Sequence, residues 1–231
     1  HKLFSHPGPV RVSCVAPMDE NLKVISLEIH DLEAAQNDLF GSTGDLFRRK
    51  LAPSLMTLFE EGRLPKAIRI VATGRTRYTD TEYQSFVSDA IQEILSTHAT
   101  SDFLSHFTYV SGELHESSFY ARIQDAILLF EQEVAKESHI VWYCSIAPHM
   151  YADIASGIAT HTQFLKRALQ ANSFLVEKPI GHNTASCLEL NNAISKYFDE
   201  SQITRIEHYL TKETLQRLPA FFHEHKDLYA L

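Results

Sequence analysis

Short apolar runs alternate with longer amphipathic stretches along most of the chain, from about residue 37 onward. The runs at residues 140–146 and 174–176 lack polar alternation, which is typical of strands covered on both faces. Between the runs, apolar side chains recur every three or four residues, which indicates helices. Strand and helix in regular alternation predict an α/β fold: a doubly wound, mainly parallel sheet with helices on both faces.

The predicted elements follow from this alternation. Further strands are predicted at residues 36–40, 67–72, 107–110 and 203–210. Helices are predicted over residues 80–96, 117–136, 151–169 and 212–218. Another helix is predicted to begin at a capping box formed by Ser186 and Glu189 and to run to about Phe198.

The start of the chain departs from the alternation. Residues 1–36 contain three prolines, and we interpret them as an N-terminal extension of unknown role. The strand that follows, residues 36–40, begins with three polar side chains. It is far more polar than a central strand of a parallel sheet is expected to be.

Composition narrows the functional classes. The chain has 231 residues, with 21 Lys and Arg against 29 Asp and Glu, so its formal net charge is −8. This balance argues against nucleic-acid binding, which needs a basic surface, and no run approaches the roughly 20 apolar residues of a membrane-spanning helix. Three widely spaced cysteines favour reduced thiols in a cytoplasmic protein. His223 and His225 lack the spacing of a ligand pair, so we expect no metal site.

Gly41 and Gly44 stand where the first strand should pass into the first helix. Glycines there let the backbone approach a pyrophosphate, and the helix N-terminus offers N–H groups to the anion. The full G-x-G-x-x-G fingerprint is absent, so an ordinary turn is an alternative. Arg75 follows the second strand, where arginine accommodates the 2′-phosphate of NADP and an acidic residue would hold the 2′-hydroxyl of NAD. A surface arginine without a binding role is the alternative.

Four separate segments match the motifs of one family. Residues 41–55, GSTGDLFRRKLAPSL, are similar to GASGDL-A-KRKL-x-P-x-L. Residues 143–148, YCSIAP, resemble Y-L-x-L-P-P, and residues 177–181, EKPIG, resemble E-K-P-F-G. Residues 198–214, FDESQITRIEHYLTKET, resemble F-x-E-x-Q-I-x-R-I-D-H-Y-L-G-K-E-x. In this order, over about residues 39–216, the chain resembles the N-terminal, NAD(P)-binding domain of glucose 6-phosphate dehydrogenase.

The resemblance implies a Rossmann-like domain over residues 37–210 that binds NADP. Residues 211–231 would then begin the family's second, α+β domain, which is otherwise absent or truncated. Pro179 is expected to follow a cis peptide bond. The positions that the resemblance assigns to the cofactor are Gly41, Ser42, Thr43, Gly44, Asp45, Leu46, Phe47, Arg48, Lys50, Arg75, Pro148, Tyr151 and Lys178.

The implied reaction is the oxidation of glucose 6-phosphate to 6-phosphogluconolactone with hydride transfer to NADP, the first oxidative step of the pentose phosphate pathway. Lys178 would lie between sugar and nicotinamide, and Glu207 replaces the aspartate that orients the catalytic base. His208, Tyr209 and Lys212 would hold the substrate phosphate, since a dianion is bound by convergent cations and hydrogen-bond donors. Full-length members of the family self-associate.

Departures from the family keep two alternatives open. Phe47 replaces a small alanine and is expected to push the first helix from the sheet; Thr211 replaces a glycine. The family's histidine base lies in the second domain, so we expect this chain alone to bind NADP weakly and to turn over little. The alternatives are another sugar oxidoreductase with an E-K-P motif, or a non-catalytic NADP-binding or scaffolding protein.

Overall fold

The computed structural model describes residues 11–13, 26–28 and 34–206. Within these residues the strands are β1 (Arg11–Ser13), β2 (Ser26–Glu28), β3 (Ala34–Phe40), β4 (Ala67–Gly74), β5 (Phe107–Ser111), β6 (His139–Cys144), β7 (Asn172–Glu177) and β8 (Ile203–Ile206). The α-helices there are α1 (Ala52–Glu60), α2 (Asp80–Leu95), α3 (Ser101–Ser105), α4 (Ser117–Val134), α5 (Tyr151–His161) and α6 (Thr184–Ile194). A π-helical turn, Phe47–Leu51, leads into α1.

Strands β3 to β8 form one parallel sheet in the order β5-β4-β3-β6-β7-β8. The chain winds outward from β3 in one direction and outward from β6 in the other, which is the doubly wound, Rossmann-like arrangement. The predicted fold class is confirmed. Strands β1 and β2 pair antiparallel within the predicted extension. The domain boundaries after residues 36 and 210 stay predictions.

Apolar side chains bury both faces of the sheet. On one face, α1, α2 and α3 pack against the strands through residues that include Met56, Val87 and Phe103. On the other face, α4 and α5 do so through residues that include Ile123 and Ile154. All six residues of β6 are buried, which explains the absence of polar alternation in that run. None of the helices in the described residues is long and apolar enough to cross a membrane.

The predicted end of α5 is wrong. The helix ends at His161 rather than near residue 169, because Thr162 adopts an extended backbone with φ −124° and ψ 166°. The Thr162 hydroxyl donates a hydrogen bond of 2.7 Å to the carbonyl of Ile158 and so satisfies one of the last helical carbonyls. Short 3₁₀ turns follow at Phe164–Lys166 and Leu169–Ala171.

The predicted start of α6 is also shifted. Asn183 is the N-cap, and its side chain accepts a hydrogen bond from the Ser186 backbone N–H at 2.9 Å. The Ser186 hydroxyl in turn accepts from the Asn183 backbone N–H at 3.1 Å. Ser186 is therefore the third helical residue of a capping box and not its first. The helix predicted over residues 212–218 lies outside the described residues.

The polar strand β3 is nevertheless the central strand, with β4 and β6 on its two sides. Gln36 and Asp38 are fully buried, and Asn37 is nearly so. Among the described residues, the carboxyl oxygens of Asp38 and the amide of Gln36 have no hydrogen-bond partner. Burial raises the pKa of Asp38 well above its ordinary value. The folded protein therefore binds a proton at Asp38 more tightly than the unfolded chain does.

This buried carboxyl predicts that stability falls as pH rises. Above an unfolded pKa of about 3.9, the unfolded chain releases the proton that folded Asp38 keeps. Each pH unit up to the raised pKa should then cost about 1.4 kcal/mol of unfolding free energy. Asp38→Asn removes this titration. Urea unfolding at pH 5 and pH 8 measures the free energy of unfolding of both proteins. The value for Asp38→Asn minus the value for the parent should be larger at pH 8 than at pH 5. Equal pH dependence in the two proteins would contradict the assignment.

Candidate functional site

The carboxyl ends of adjacent parallel strands bring the described candidate residues to one edge of the sheet. Phe40 of β3 lies opposite Thr73 of β4 and Cys144 of β6, and Cys144 lies opposite Val176 of β7. Each of these strand ends is followed by a candidate segment: the glycine turn (residues 41–44), the arginine loop (residues 75–77), the proline turn (residues 148–150) and Lys178. Ligands of doubly wound folds bind at this edge, in the crevice where the strand order reverses, which here lies between β3 and β6.

Gly41 is the tightest point of the turn after β3. Its φ is +86°, which a side chain disfavours. A Cβ there would lie 2.3 Å from Cγ2 of Ile146 and 2.6 Å from the carbonyl oxygen of Ser145. The Gly44 N–H donates back to the Gly41 carbonyl at 3.0 Å. The turn therefore needs glycine both for its conformation and for its approach to the end of β6.

Hydrogen bonds hold the turn to the neighbouring elements. The backbone N–H and the hydroxyl of Ser42 both donate to the carbonyl of Thr73, each at 2.9 Å. The Thr73 hydroxyl donates to the carbonyl of Leu39 at 3.0 Å. From α2, the Tyr83 hydroxyl donates to the carbonyl of Ser42 at 3.0 Å. These hydrogen bonds define the geometry of the glycine turn.

Cationic side chains follow the turn. Arg48, Arg49 and Lys50 lie in the π-helical turn. Arg49 pairs with exposed Asp45 at 2.7 Å, and Arg48 forms an ion pair with Glu93 of α2. The start of a helix favours an anion at this place, while Arg48 and Arg49 are each already paired with a carboxylate.

Phe47 is fully buried in this turn. Its ring lies 6.0 Å from the ring of Tyr83 and 6.4 Å from that of Phe86, measured between centroids. The aromatic side chains of α2 accommodate the large ring, and the first helical turn is π-helical rather than α-helical.

Arg75 is exposed directly after β4. The following residues, up to Arg77, include no acidic side chain. The place where a dinucleotide fold recognises the ribose 2′ position is therefore cationic.

Lys178 follows β7 and is exposed, and the peptide bond between it and Pro179 is cis, as predicted. The preceding Glu177 is held by two tyrosines. The Tyr151 hydroxyl donates to the Glu177 carbonyl and accepts from its N–H, both at 3.3 Å, and the Tyr143 hydroxyl donates to its carboxylate. Tyr151 itself is fully buried, so its described contacts position the backbone before Lys178. Its direct contact with a cofactor stays a prediction.

Four of the predicted site residues lie outside the described residues: Glu207, His208, Tyr209 and Lys212. Pro148 begins a short 3₁₀ turn, Pro148–Met150, ahead of α5. Leu46 lies directly before the π-helical turn. The roles assigned to all these residues stay predictions. Among the described residues, no group of three or more His, Cys, Asp and Glu side chains could hold a metal ion.

An open cavity of about 420 Å³ lies between residues 113–115 and α5. None of the predicted site residues lines it, although Met150 borders it close to Pro148. The glycine turn and the strand ends instead form an edge along the sheet. This geometry suits an elongated ligand that lies along the sheet edge more than a compact ligand held in a closed cavity.

Sequence reasoning missed three tyrosines that organise this edge: Tyr83, Tyr109 and Tyr143. Tyr83 lies in the helix predicted over residues 80–96, Tyr109 lies in the strand predicted over residues 107–110, and Tyr143 begins the motif at residues 143–148. The sequence analysis assigns none of them a role in the site. Buried phenols need a hydrogen-bond partner, and this was the signal available in the sequence.

The comparisons with known proteins agree with this geometry. The family described as glucose-6-phosphate dehydrogenase, NAD binding domain, matches residues 39–217. The chain is 33% identical over 182 residues to glucose-6-phosphate 1-dehydrogenase of Leuconostoc mesenteroides, covering 78% of this chain and 37% of the relative. For the Rhizobium meliloti enzyme of the same name the identity is 34% over 201 residues, covering 85% and 39%. The chain therefore spans less than two fifths of these relatives.

Solved structures are similar as well. A glucose-6-phosphate dehydrogenase in complex with its substrate glucose-6-phosphate superposes with a TM-score of 0.73 at 25% identity, covering 85% of this chain and 41% of that one. The Mycobacterium avium glucose-6-phosphate 1-dehydrogenase has a TM-score of 0.65 at 24% identity, covering 77% and 36%. The latter likeness concerns the fold alone.

Gly41→Ala should destabilise the domain far more than a matched glycine substitution. Gly62 also has a positive φ, of +65°, but a Cβ there meets nothing within 4 Å. Gly62→Ala should cost about 1 kcal/mol from backbone strain. Gly41→Ala adds overlap with the Ser145 backbone and should cost about 2–4 kcal/mol. Urea unfolding of both variants measures the difference. Equal losses would mean that the close approach at Gly41 is unimportant.

Proposed function

Because this chain belongs to the glucose-6-phosphate dehydrogenase family through its NAD-binding domain, we propose that it binds NADP as the hydride acceptor for oxidation of glucose 6-phosphate. The convergence of the glycine turn and Arg75 on one sheet edge supports this most directly. A nicotinamide dinucleotide fits the turn, since a glycine-containing backbone turn that leads into the start of a helix suits a pyrophosphate. When bound, the nicotinamide would supply the carbon that receives the hydride.

Recognition of the 2′-phosphate is assigned to Arg75. Its guanidinium is exposed at the end of β4 and is followed by another arginine two residues later. A guanidinium offers two parallel donors to a phosphate. Arg48 and Lys50 would neutralise the pyrophosphate, which NAD also carries, from the neighbouring helical turn. The proposed cofactor is NADP and not NAD because Arg75 stands where the 2′-phosphate would lie.

The substrate side rests on residues that follow β7 and β8. Lys178 would orient the sugar beside the nicotinamide. His208, Tyr209 and Lys212 come soon after the end of β8 at Ile206, and parallel strands β7 and β8 end at the same sheet edge. Their imidazole, phenol and ammonium groups would bind a phosphate dianion. Glu207 would orient a catalytic base. A cytoplasmic location, inferred from the sparse cysteines, belongs to the same proposal.

A non-catalytic NADP-binding protein is the second candidate, and the buried polar side chains of β3 favour it. Both candidates bind NADP. Only the dehydrogenase requires a recognition site for the sugar phosphate, so the two are separated by substrate binding.

Arg75→Ala should remove the preference for NADP. Loss of a charge-assisted, bidentate contact should lower the affinity for NADP⁺ about 10–100-fold. The affinity for NAD⁺, which lacks the phosphate, should stay the same. Calorimetric titration of both nucleotides measures the effect. Arg77→Ala, which removes the same charge from the same loop, should retain most of the preference. If both variants lose NADP⁺ and NAD⁺ affinity equally, Arg75 does not recognise the 2′-phosphate.

The NADP⁺-loaded chain should bind glucose 6-phosphate but not glucose. Calorimetric titration of the two sugars at equal concentrations tests this, because the phosphate supplies the charge-assisted contacts. Lys212→Ala should weaken glucose 6-phosphate about 10-fold or more. Binding of NADP⁺ without any binding of glucose 6-phosphate would favour the non-catalytic candidate, and equal binding of glucose would favour another sugar oxidoreductase.

A further inference from the structure

Two stacked tyrosines hold the two loops of the proposed cofactor site. Tyr83 of α2 donates its hydroxyl to the carbonyl of Ser42 at 3.0 Å. Tyr109 of β5 donates its hydroxyl to the carbonyl of Thr76 at 2.7 Å. The two rings stack with their centroids 4.5 Å apart and their planes inclined by 20°. One aromatic pair therefore joins the glycine turn to the arginine loop.

The Tyr83 hydrogen bond fixes the direction of a backbone donor. The carbonyl of Ser42 and the N–H of Thr43 belong to one planar trans peptide unit and point in opposite directions. Tyr83 is fully buried and draws the carbonyl toward the interior. The Thr43 N–H must then point away from the core, toward the side where the turn would meet a pyrophosphate.

The Tyr109 hydrogen bond acts on the other loop. Its acceptor, the Thr76 carbonyl, lies one residue beyond Arg75. A Cβ on Gly74 would be 2.7 Å from the Tyr109 hydroxyl and 2.9 Å from Oγ1 of Thr43. The end of β4 is thus packed between the glycine turn and Tyr109, which fixes where Arg75 leaves the strand.

We propose that Tyr83 and Tyr109 are positioning residues with separate tasks in dinucleotide recognition. Tyr83 directs the Thr43 N–H at the pyrophosphate, which NAD and NADP share. Tyr109 holds the Arg75 loop where the guanidinium meets the 2′-phosphate, which only NADP carries. The inference rests on the proposed cofactor function.

Both hydroxyls are protonated donors at neutral pH. Burial raises the pKa of Tyr83 well above its ordinary value, and burial together with Tyr78 raises the pKa of Tyr109 to about 12. A phenylalanine in either position keeps the ring stacking and removes only the donor. The substitutions therefore separate loop positioning from packing.

The test uses Tyr83→Phe and Tyr109→Phe in the 231-residue chain, with Tyr197→Phe as the control. Tyr197 is partly exposed, and its hydroxyl donates to the hydroxyl of Ser156 in α5, far in sequence from either loop. NADP⁺ and NAD⁺ are titrated by calorimetry at a temperature well below the melting temperature of each variant, so that nearly all of the protein is folded. The ratio of the two affinities is independent of any remaining unfolded protein, because unfolding lowers both affinities by the same factor.

Tyr83→Phe should weaken both nucleotides about 10-fold and leave the ratio unchanged. Tyr109→Phe should weaken NADP⁺ about 10-fold, spare NAD⁺, and so lower the ratio about 10-fold. Tyr197→Phe should change neither. An unchanged ratio in Tyr109→Phe, or unchanged affinities in Tyr83→Phe, would overturn the assignment of that tyrosine. If the parent chain binds neither nucleotide, the proposed function itself is wrong. If the parent prefers NADP⁺ and Arg75→Ala removes that preference, the proposed function stands, and a negative result overturns only the roles assigned to the tyrosines.

Discussion

The parallel pairing of β3 with β4 on one side and β6 on the other determines the rest of the structure. This register aligns the ends of the three strands, so that Gly41, Arg75 and Pro148 all leave the same edge of the sheet. The hydrogen bonds of this ladder join backbone groups and do not involve the polar side chains of β3. It therefore persists although β3 buries Gln36, Asn37 and Asp38, whose polar groups oppose burial.

The fold class could be predicted from the sequence because the positions of apolar residues show which faces of the strands and helices are buried. The run at β6 has no polar interruption since helices cover both of its faces, and the helices α2 and α4 followed from regular apolar spacing. The helix ends were less predictable. Extended backbone at Thr162 ends α5, and Asn183 rather than Ser186 caps α6. Both helix ends depend on the backbone conformation of single residues, which the periodic spacing of apolar residues does not reveal.

The candidate site was predictable where it depends on local sequence. The glycine turn and the arginine after β4 follow from short segments of sequence, and the cis bond before Pro179 follows from the family resemblance. The tyrosines that support these loops were missed because their partners are distant in sequence: 41 residues separate Tyr83 from Ser42, and 33 separate Tyr109 from Thr76. Such contacts arise from the crossover connections of the sheet and have no local spacing. Glu207 and the residues proposed to hold the substrate phosphate lie outside the described residues and still rest on the family motif.

The central claim is that the crevice between the ends of β3 and β6 binds a phosphorylated dinucleotide. A crystal structure of the chain grown with NADP⁺ tests it most directly. The account predicts the pyrophosphate against the backbone of residues 41–44, the 2′-phosphate within hydrogen-bond distance of Arg75, and the nicotinamide near Lys178. Cofactor density at any other surface, with the glycine turn unoccupied, would contradict it.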